Sequence, residues 1–261
     1  MHTEKEDRKG DGRGLKGSIS VVGIGPGGLD HLTGKAIDAL KRADRVVGYT
    51  RYIDLILPLI PGKAVFSTGM TGEVERCRKA IEFANAGDAV AVVSSGDAGI
   101  YGMAGLILEL VEAESPGLKV DVIPGVPAFA AASSILGAPL MHDFASISLS
   151  DLLTDRALIE ERINAAAKAD FVIVLYNPKS SKRVEGLSKA VEIILKYRGR
   201  ETPVGIVRNA TRDNESATVT TLGEAGGHFD SIDMLTILIV GNSSSYVKSG
   251  RIITPRGYSL R

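Results

Sequence analysis

ISVVGIGPGGLDHLTG, residues 19–34, decides how the rest of the chain is read. An apolar run of Ile19, Val21 and Val22 stops at Gly23, Gly25, Gly27 and Gly28, with Pro26 among them. After Thr33 the apolar residues recur at helical spacing, as Ala36, Ile37, Leu40 and Ala43. That order predicts a strand, a tight glycine turn and a helix. Glycine lets the main chain turn through left-handed conformations and lets another molecule approach where a Cβ would collide. The turn is therefore expected to hold a ligand at the carboxyl end of a first strand. Close strand-to-helix packing is the plainer alternative.

Gly23, Gly25 and Gly28 satisfy G-x-G-x-x-G, so a dinucleotide site has to be weighed. Such a site needs an Asp or Glu closing the second strand to hold a ribose. The second strand expected here, 45–48, runs into Tyr49, Thr50 and Arg51, with no acid among them. Pro26 also removes an N–H that could face a pyrophosphate. The match is incomplete, and a nicotinamide-dependent oxidoreductase rests on this glycine spacing alone.

Outward from the loop, short apolar runs alternate with helical stretches, the pattern of an α/β layer fold. Strands are expected at 19–24, 45–48, 63–66, 89–94 and 119–123, and helices at 33–43, 49–57, 73–86, 103–114 and 127–136. These strands are rich in Val and Ile with little polar alternation, which predicts a mainly parallel sheet covered on both faces. Leu136, Gly137, Ala138, Pro139 and Leu140 read as a junction. Beyond it, strands are expected at 144–149, 170–176, 203–208, 217–222 and 235–240, with helices at 156–168 and 182–197. The last two strands have no long helix between them, so the second sheet is expected to be mixed. The expected organisation is a charged, disordered tail over 1–17 and two α/β domains, 18–138 and 139–261.

Composition narrows the function. The 261 residues carry 31 basic and 31 acidic side chains. A net charge of zero argues against broad attraction to nucleic acid or to a membrane surface. Cys77 is the single cysteine, so neither an internal disulfide nor an all-cysteine metal site can form, and a reducing, cytoplasmic setting is expected. His2, His31, His142 and His228 stand singly without ligand spacing, and no bound metal is expected. No apolar run reaches the roughly 18 residues of a membrane span, and the N-terminus lacks the apolar core of a signal peptide.

Further loops follow expected strands. VVSSGDAGIYG, 92–102, places Asp97 after Gly96, where an Asx turn is the bland reading. Loops at the carboxyl ends of parallel strands converge on one crevice, which favours a ligand. IPGVPAFAAA, 123–132, turns into a helix of very small side chains, explained equally by a ligand or by packing on a sheet. YNPKSSKR, 176–183, brings Lys179, Lys182 and Arg183 to the end of a strand, and VRNATR, 207–212, brings Arg208, Asn209 and Arg212. A solvated face is one reading of these cations; a site for an anionic substrate is the other. The chain has no G-x-S-x-G elbow and no G-x-x-x-x-G-K-[ST] loop.

Taken together, GIGPGG with Leu32 and Thr33, SSGDAGIYG, PGVPAFAAA, YNPKSSKR and VRNATR resemble the tetrapyrrole methylase family over residues 18–254. The departures are Ala98, where the wider family usually has Pro, and Thr50, where the branch acting on uroporphyrinogen carries an acid. With GYTRYIDLI, PLMHDFASISLSDLLT and IVGNSSSYV, these residues are similar to the branch that methylates carbon 17 of precorrin-3B, or of cobalt-factor III, and contracts the macrocycle.

The resemblance implies two α/β domains with S-adenosylmethionine held in the cleft between them. It places Gly25, Pro26, Ser95, Gly96, Asp97, Ile100, Tyr101, Pro127, Ala128, Asn177 and Ala210 around the cofactor. A wall of small neutral residues suits a cationic sulfonium, which a dense lysine cluster would repel. The substrate's acetate and propionate groups call for positive charge, with Arg51, Lys179, Arg208 and Arg212 as candidates. Asp97, Tyr101 and His142 are the candidates for proton transfer, Asp97 more as a structural ligand. A tetrapyrrole substrate, a homodimer and no nucleic-acid or membrane partner are implied. Rival readings are a methylase of the same family acting on another precorrin or on uroporphyrinogen, the oxidoreductase, and a non-catalytic corrinoid-binding protein.

Overall fold

The computed structural model describes residues 17–179 and 185–259. The expected tail, apart from Gly17, lies outside the described residues, as do Lys182, Arg183 and the start of the helix expected from 182. In chain order the elements are β1 (Ser18–Gly23), α1 (Gly34–Arg42), β2 (Arg45–Tyr49), α2 (Thr50–Asp54), β3 (Ala64–Thr68), α3 (Glu73–Asn85), β4 (Ala89–Ser94), α4 (Ala104–Glu114) and β5 (Lys119–Ile123). There follow α5 (Ala128–Leu136), β6 (Gly137–Ala138), β7 (Phe144–Ser148), α6 (Arg156–Lys168), β8 (Val172–Tyr176) and α7 (Glu185–Ile194). The chain closes with β9 (Pro203–Arg208), β10 (Ser216–Thr221), β11 (Thr236–Val240), β12 (Tyr246–Lys248) and β13 (Arg251–Ile253).

The first sheet runs β3-β2-β4-β1-β5, and every pairing in it is parallel. Side chains alternate across the pleat. Ile19, Val21, Val47, Val90 and Val92 pack with Cys77, Ala80 and Ile81 of α3 and Ile107 of α4, while Val22, Val46, Ala91 and Val93 pack with Ala36 and Leu40 of α1. Both faces of β1, β2 and β4 are covered, which is why these strands are rich in Val and Ile, whereas the edge strands β3 and β5 are largely exposed. The Thr33 hydroxyl accepts from the Ala36 N–H at 3.1 Å and starts α1, and Lys41 and Arg42 sit in its last turn. Cys77 lies inside this packing, and burial pushes its thiol up to about 12. It should therefore resist alkylation by iodoacetamide at pH 8 in the native protein and react on unfolding in denaturant; fast labelling of native protein would contradict this placement.

The second sheet runs β10-β9-β11-β8-β7 and is mixed: β7 and β8 are parallel, and the other neighbours antiparallel. β10 and β11, consecutive in sequence, do not pair; β9 lies between them. One face packs on α6 and α7 through Ile173, Leu175, Val204, Ile206 and Leu238. The other is covered by α5, whose Ala131, Ala132 and Leu136 meet Val172, Val174, Val207, Ile237 and Ile239. The small side chains of α5 thus let a helix that follows β5 of the first sheet lie close on the second. Gly205 makes room for it, since a Cβ there would stand 2.2 Å from Leu136 Cδ1. A small third sheet, β12-β13-β6, ties the end of α5 to the C-terminal hairpin. Among the described residues no helix is long and apolar enough to cross a membrane.

Candidate functional site

The three glycine loops meet where β1, β4 and β5 end. Gly25 and Gly96 exchange backbone hydrogen bonds, Gly25 N–H to Gly96 O at 3.1 Å and Gly96 N–H to Gly25 O at 2.7 Å. The third loop lies equally close: a Cβ on Gly125 would stand 2.2 Å from Gly96 O, and one on Gly23 2.6 Å from Gly125 N. Asp97 fastens the group, its Oδ1 accepting from Gly99 N–H at 2.8 Å and its Oδ2 from Gly125 N–H at 3.0 Å. These contacts explain why β-strand residues give way to glycine at all three ends: main chain packs against main chain.

The second half closes over this platform from the turns after β8 and β9 and the turn before β11. Asn177, Asn209 and Thr211 all have left-handed backbone, with φ of 49°, 53° and 62°, as does Tyr101 on the opposite side with φ of 52°. Asparagine tolerates that region, whereas β-branched Thr211 is strained in it, and such strain concentrates at functional sites. The turn at Thr211 leans on the first glycine loop, and a Cβ on Gly27 would stand 2.7 Å from Thr211 O.

Between the halves lies a cavity of about 160 Å³. From the first half it is lined by Pro26, Tyr52, Ser95, Gly96, Asp97, Ile100, Tyr101 and Ala128; from the second by Tyr176, Asn177, Asn209, Ala210, Arg212 and the segment Met234, Leu235, Thr236 and Ile237. Of the expected cofactor residues, Gly25 and Pro127 are not in this lining. Gly25 bridges to Gly96 behind it, and Pro127 caps α5, where its carbonyl accepts from Ala130 N–H at 3.0 Å. Tyr52, Tyr176 and 234–237 were missed by sequence reasoning, and Asn209 was named after its strand without being assigned to the cofactor. For Asn209 and Tyr176 a signal existed, since each adjoins a strand end already singled out.

Tyr101 reaches across the cleft. Its hydroxyl donates to Ser146 O at 2.8 Å, and its ring lies 5.0 Å from that of Tyr176. The Tyr176 hydroxyl accepts from Phe129 N–H at 3.2 Å, and burial, above all, pushes its phenol up to about 12. It therefore stays protonated at neutral pH, and its O–H has no acceptor among the described residues. His142 is elsewhere, on the rim of a separate hollow that also holds Asp143, Asp170 and Arg256.

The expected substrate cations are not clustered. Arg212 donates from Nε to Pro26 O and from Nη2 to Ser95 Oγ at 2.8 Å. Lys179 donates to Phe229 O at 2.7 Å. Arg208 grips Asp233 Oδ2 at 2.9 Å through both Nε and Nη2. Burial raises the Asp233 pKa, but hydrogen bonds from Arg208, Leu235 N–H and Thr236 Oγ1 together hold it below the usual carboxylate value. Asp233 thereby fixes the turn that carries Met234 and Leu235 into the cavity. Arg51 is exposed on α2, one residue before Tyr52. Among the described residues no group of His, Cys, Asp or Glu is placed to hold a metal ion.

Among the described residues Asp97 and Arg212 are the only charged side chains in the lining, one of each sign, beside a glycine platform, two alanines and two asparagines, a balance that suits a zwitterionic compound better than a phosphate. The family model for tetrapyrrole (corrin/porphyrin) methylases matches residues 18–226. The chain belongs to the tetrapyrrole methylase family. Among tetrapyrrole methylases it is 52% identical over 242 residues to the probable cobalt-factor III C(17)-methyltransferase of Salmonella typhimurium, covering 93% of this chain and 100% of that one. It is 48% identical to the cobalt-factor III methyltransferase of Priestia megaterium, covering 95% of this chain and 46% of that longer one. The crystal structure of the methyltransferase CobJ superposes with a TM-score of 0.87 at 34% identity, covering 92% of this chain and 100% of that one. A uroporphyrin-III C-methyl transferase from Thermus thermophilus, solved with S-adenyl homocysteine, superposes at 0.66 with 25% identity, covering 86% and 97%.

Proposed function

We propose that the chain transfers a methyl group from S-adenosylmethionine to carbon 17 of cobalt-factor III, or of its metal-free counterpart precorrin-3B, with contraction of the macrocycle. The observation that carries this reading is 52% identity across the whole of the Salmonella typhimurium relative that bears the activity in its name. The donor supplies an electrophilic methyl on a positively charged sulfur. The protein's task is then to hold that group against a ring carbon and keep water out, and such positioning is worth roughly 7 to 11 kcal/mol in favourable cases. Pro26, Gly96, Ile100, Ala128 and Ala210 shape the donor side, with Gly25 and Pro127 behind them. Met234, Leu235 and Ile237 exclude water, and the protonated Tyr176 hydroxyl offers a hydrogen bond.

Asp97 serves as a brace between loops, since both its oxygens accept backbone N–H groups. Of the four expected cations, Arg51 is exposed and adjoins the cavity residue Tyr52 in sequence, so it is the candidate for a substrate carboxylate. A homodimer in the cytoplasm belongs to the same proposal, in keeping with the unpaired, buried Cys77. The test is mass spectrometry of the tetrapyrrole after incubation with methyl-labelled donor and either cobalt-factor III or precorrin-3B. One labelled methyl at carbon 17 in a contracted ring is the expected product. Tight tetrapyrrole binding with no label would make the chain a corrinoid-binding protein instead.

A further inference from the structure

The cavity between the halves is small for the ligand assigned to it. Sites for organic molecules of this size run roughly 300–1,000 Å³, against about 160 Å³ here. Besides Tyr101, which bonds to Ser146 O, Arg212 is a side chain that spans the gap. It leaves the turn after β9, crosses to the first half, and donates to Pro26 O and to Ser95 Oγ at 2.8 Å. Pro26 and Ser95 belong to different glycine loops, so one guanidinium ties both to the second half. Gly27 makes the crossing possible, because a Cβ there would stand 2.3 Å from Arg212 Cγ.

The turn that delivers Arg212 is not at rest. Asn209 and Thr211 are left-handed, with φ of 53° and 62°. The buried Thr211 Oγ1 has no hydrogen-bond partner among the described residues. A strained turn with an unmet hydroxyl is held in place by what its neighbours gain, and here that includes two charge-assisted bonds across the cleft. Resting on the donor-site reading above, we infer that Arg212 is a positioning residue that latches the donor cleft shut and must release Pro26 and Ser95 for the donor to enter. This differs from the role expected from sequence, in which Arg212 holds a substrate carboxylate.

The two roles separate experimentally in the protein with S-adenosylhomocysteine, whose sulfur is uncharged, so that repulsion between the arginine and a sulfonium plays no part. Surface plasmon resonance should show association with Arg212→Gln faster than with wild type by roughly ten-fold, because the open form is no longer a minor population. Gly27→Ala, which crowds the latch while leaving the arginine, should speed association in the same direction. In the ligand-free protein, hydrogen exchange at 24–28 and 209–212 should quicken in both variants. The Michaelis constant for the tetrapyrrole should stay within a factor of two. An unchanged or slower association rate with Arg212→Gln overturns the latch, as does a raised tetrapyrrole constant with unaltered donor-side kinetics, which would return Arg212 to carboxylate binding. If wild type itself fails to bind S-adenosylhomocysteine, the donor-site reading falls, and the latch with it.

Discussion

Gly25→Val is expected to raise the dissociation constant for S-adenosylhomocysteine at least ~100-fold, about 2.7 kcal/mol, while the protein still folds. Two effects add. Gly25 has φ of +75°, a region that costs a β-branched residue about 1–3 kcal/mol. A Cβ there would also stand 2.8 Å from His31 O, main chain that cannot swing aside as a side-chain tip could. Relief of either strain has to move the loop and break the paired hydrogen bonds with Gly96, each worth about 1 kcal/mol. Those bonds seat the loop behind Pro26 and Gly96, so the damage reaches the cavity although Gly25 does not line it. Gly28→Ala is the control. Gly28 has φ of −63°, and its nearest neighbour to a new Cβ is Thr211 O at 3.3 Å, so the penalty should be an order of magnitude smaller. Calorimetry on both variants, with circular dichroism to show folding, checks the pair; wild-type affinity in Gly25→Val would remove the loop from the donor site.

The glycine loops were legible because local chemistry dictates them. A buried β strand written as Val and Ile that ends abruptly in glycine has few physical explanations, and the strands at 19–24 and 89–94 end so, while the exposed edge strand at 119–123 reaches Gly125 through Pro124. The mixed character of the second sheet was legible for a similar reason, from two strands with no helix between them. Their failure to pair was not, because strand order depends on contacts the whole sheet makes. Nor did sequence reveal the fate of the cations. Arg208 finds Asp233 at a separation of 25 residues and Arg212 finds Pro26 at 186, and nothing local marks either partner. The alanines of α5 illustrate the same limit. They fitted a ligand and a sheet equally well, and the structure shows Ala131 and Ala132 on the second sheet while Ala128, one turn earlier, lines the cavity.

Gly125→Ala should be among the most damaging single methyls at the site. The new Cβ would lie 2.2 Å from Gly96 O and 2.7 Å from Gly23 C and O, so it meets main chain on two sides. Gly125 also gives its N–H to Asp97, and any shift that relieves the clash strains that bond. Overpacking against unyielding backbone should cost about 3 kcal/mol, lowering the melting temperature by about 6 to 12 °C for a chain of this size. Space, more than conformational freedom, sets this cost, and other glycines separate the two. At Gly205 the obstacle is the flexible end of Leu136, so Gly205→Ala should cost less than half as much. Gly105 sits in the first turn of α4 with nothing within 4 Å of a new Cβ, so Gly105→Ala should stabilise by up to about 0.5 kcal/mol, less than in a helix interior. Thermal melts of the three variants therefore order them as Gly125→Ala, then Gly205→Ala, both below wild type, with Gly105→Ala above it. A Gly125→Ala protein melting with wild type would mean that the three loops do not pack main chain to main chain, and the platform on which the donor is proposed to sit would be lost.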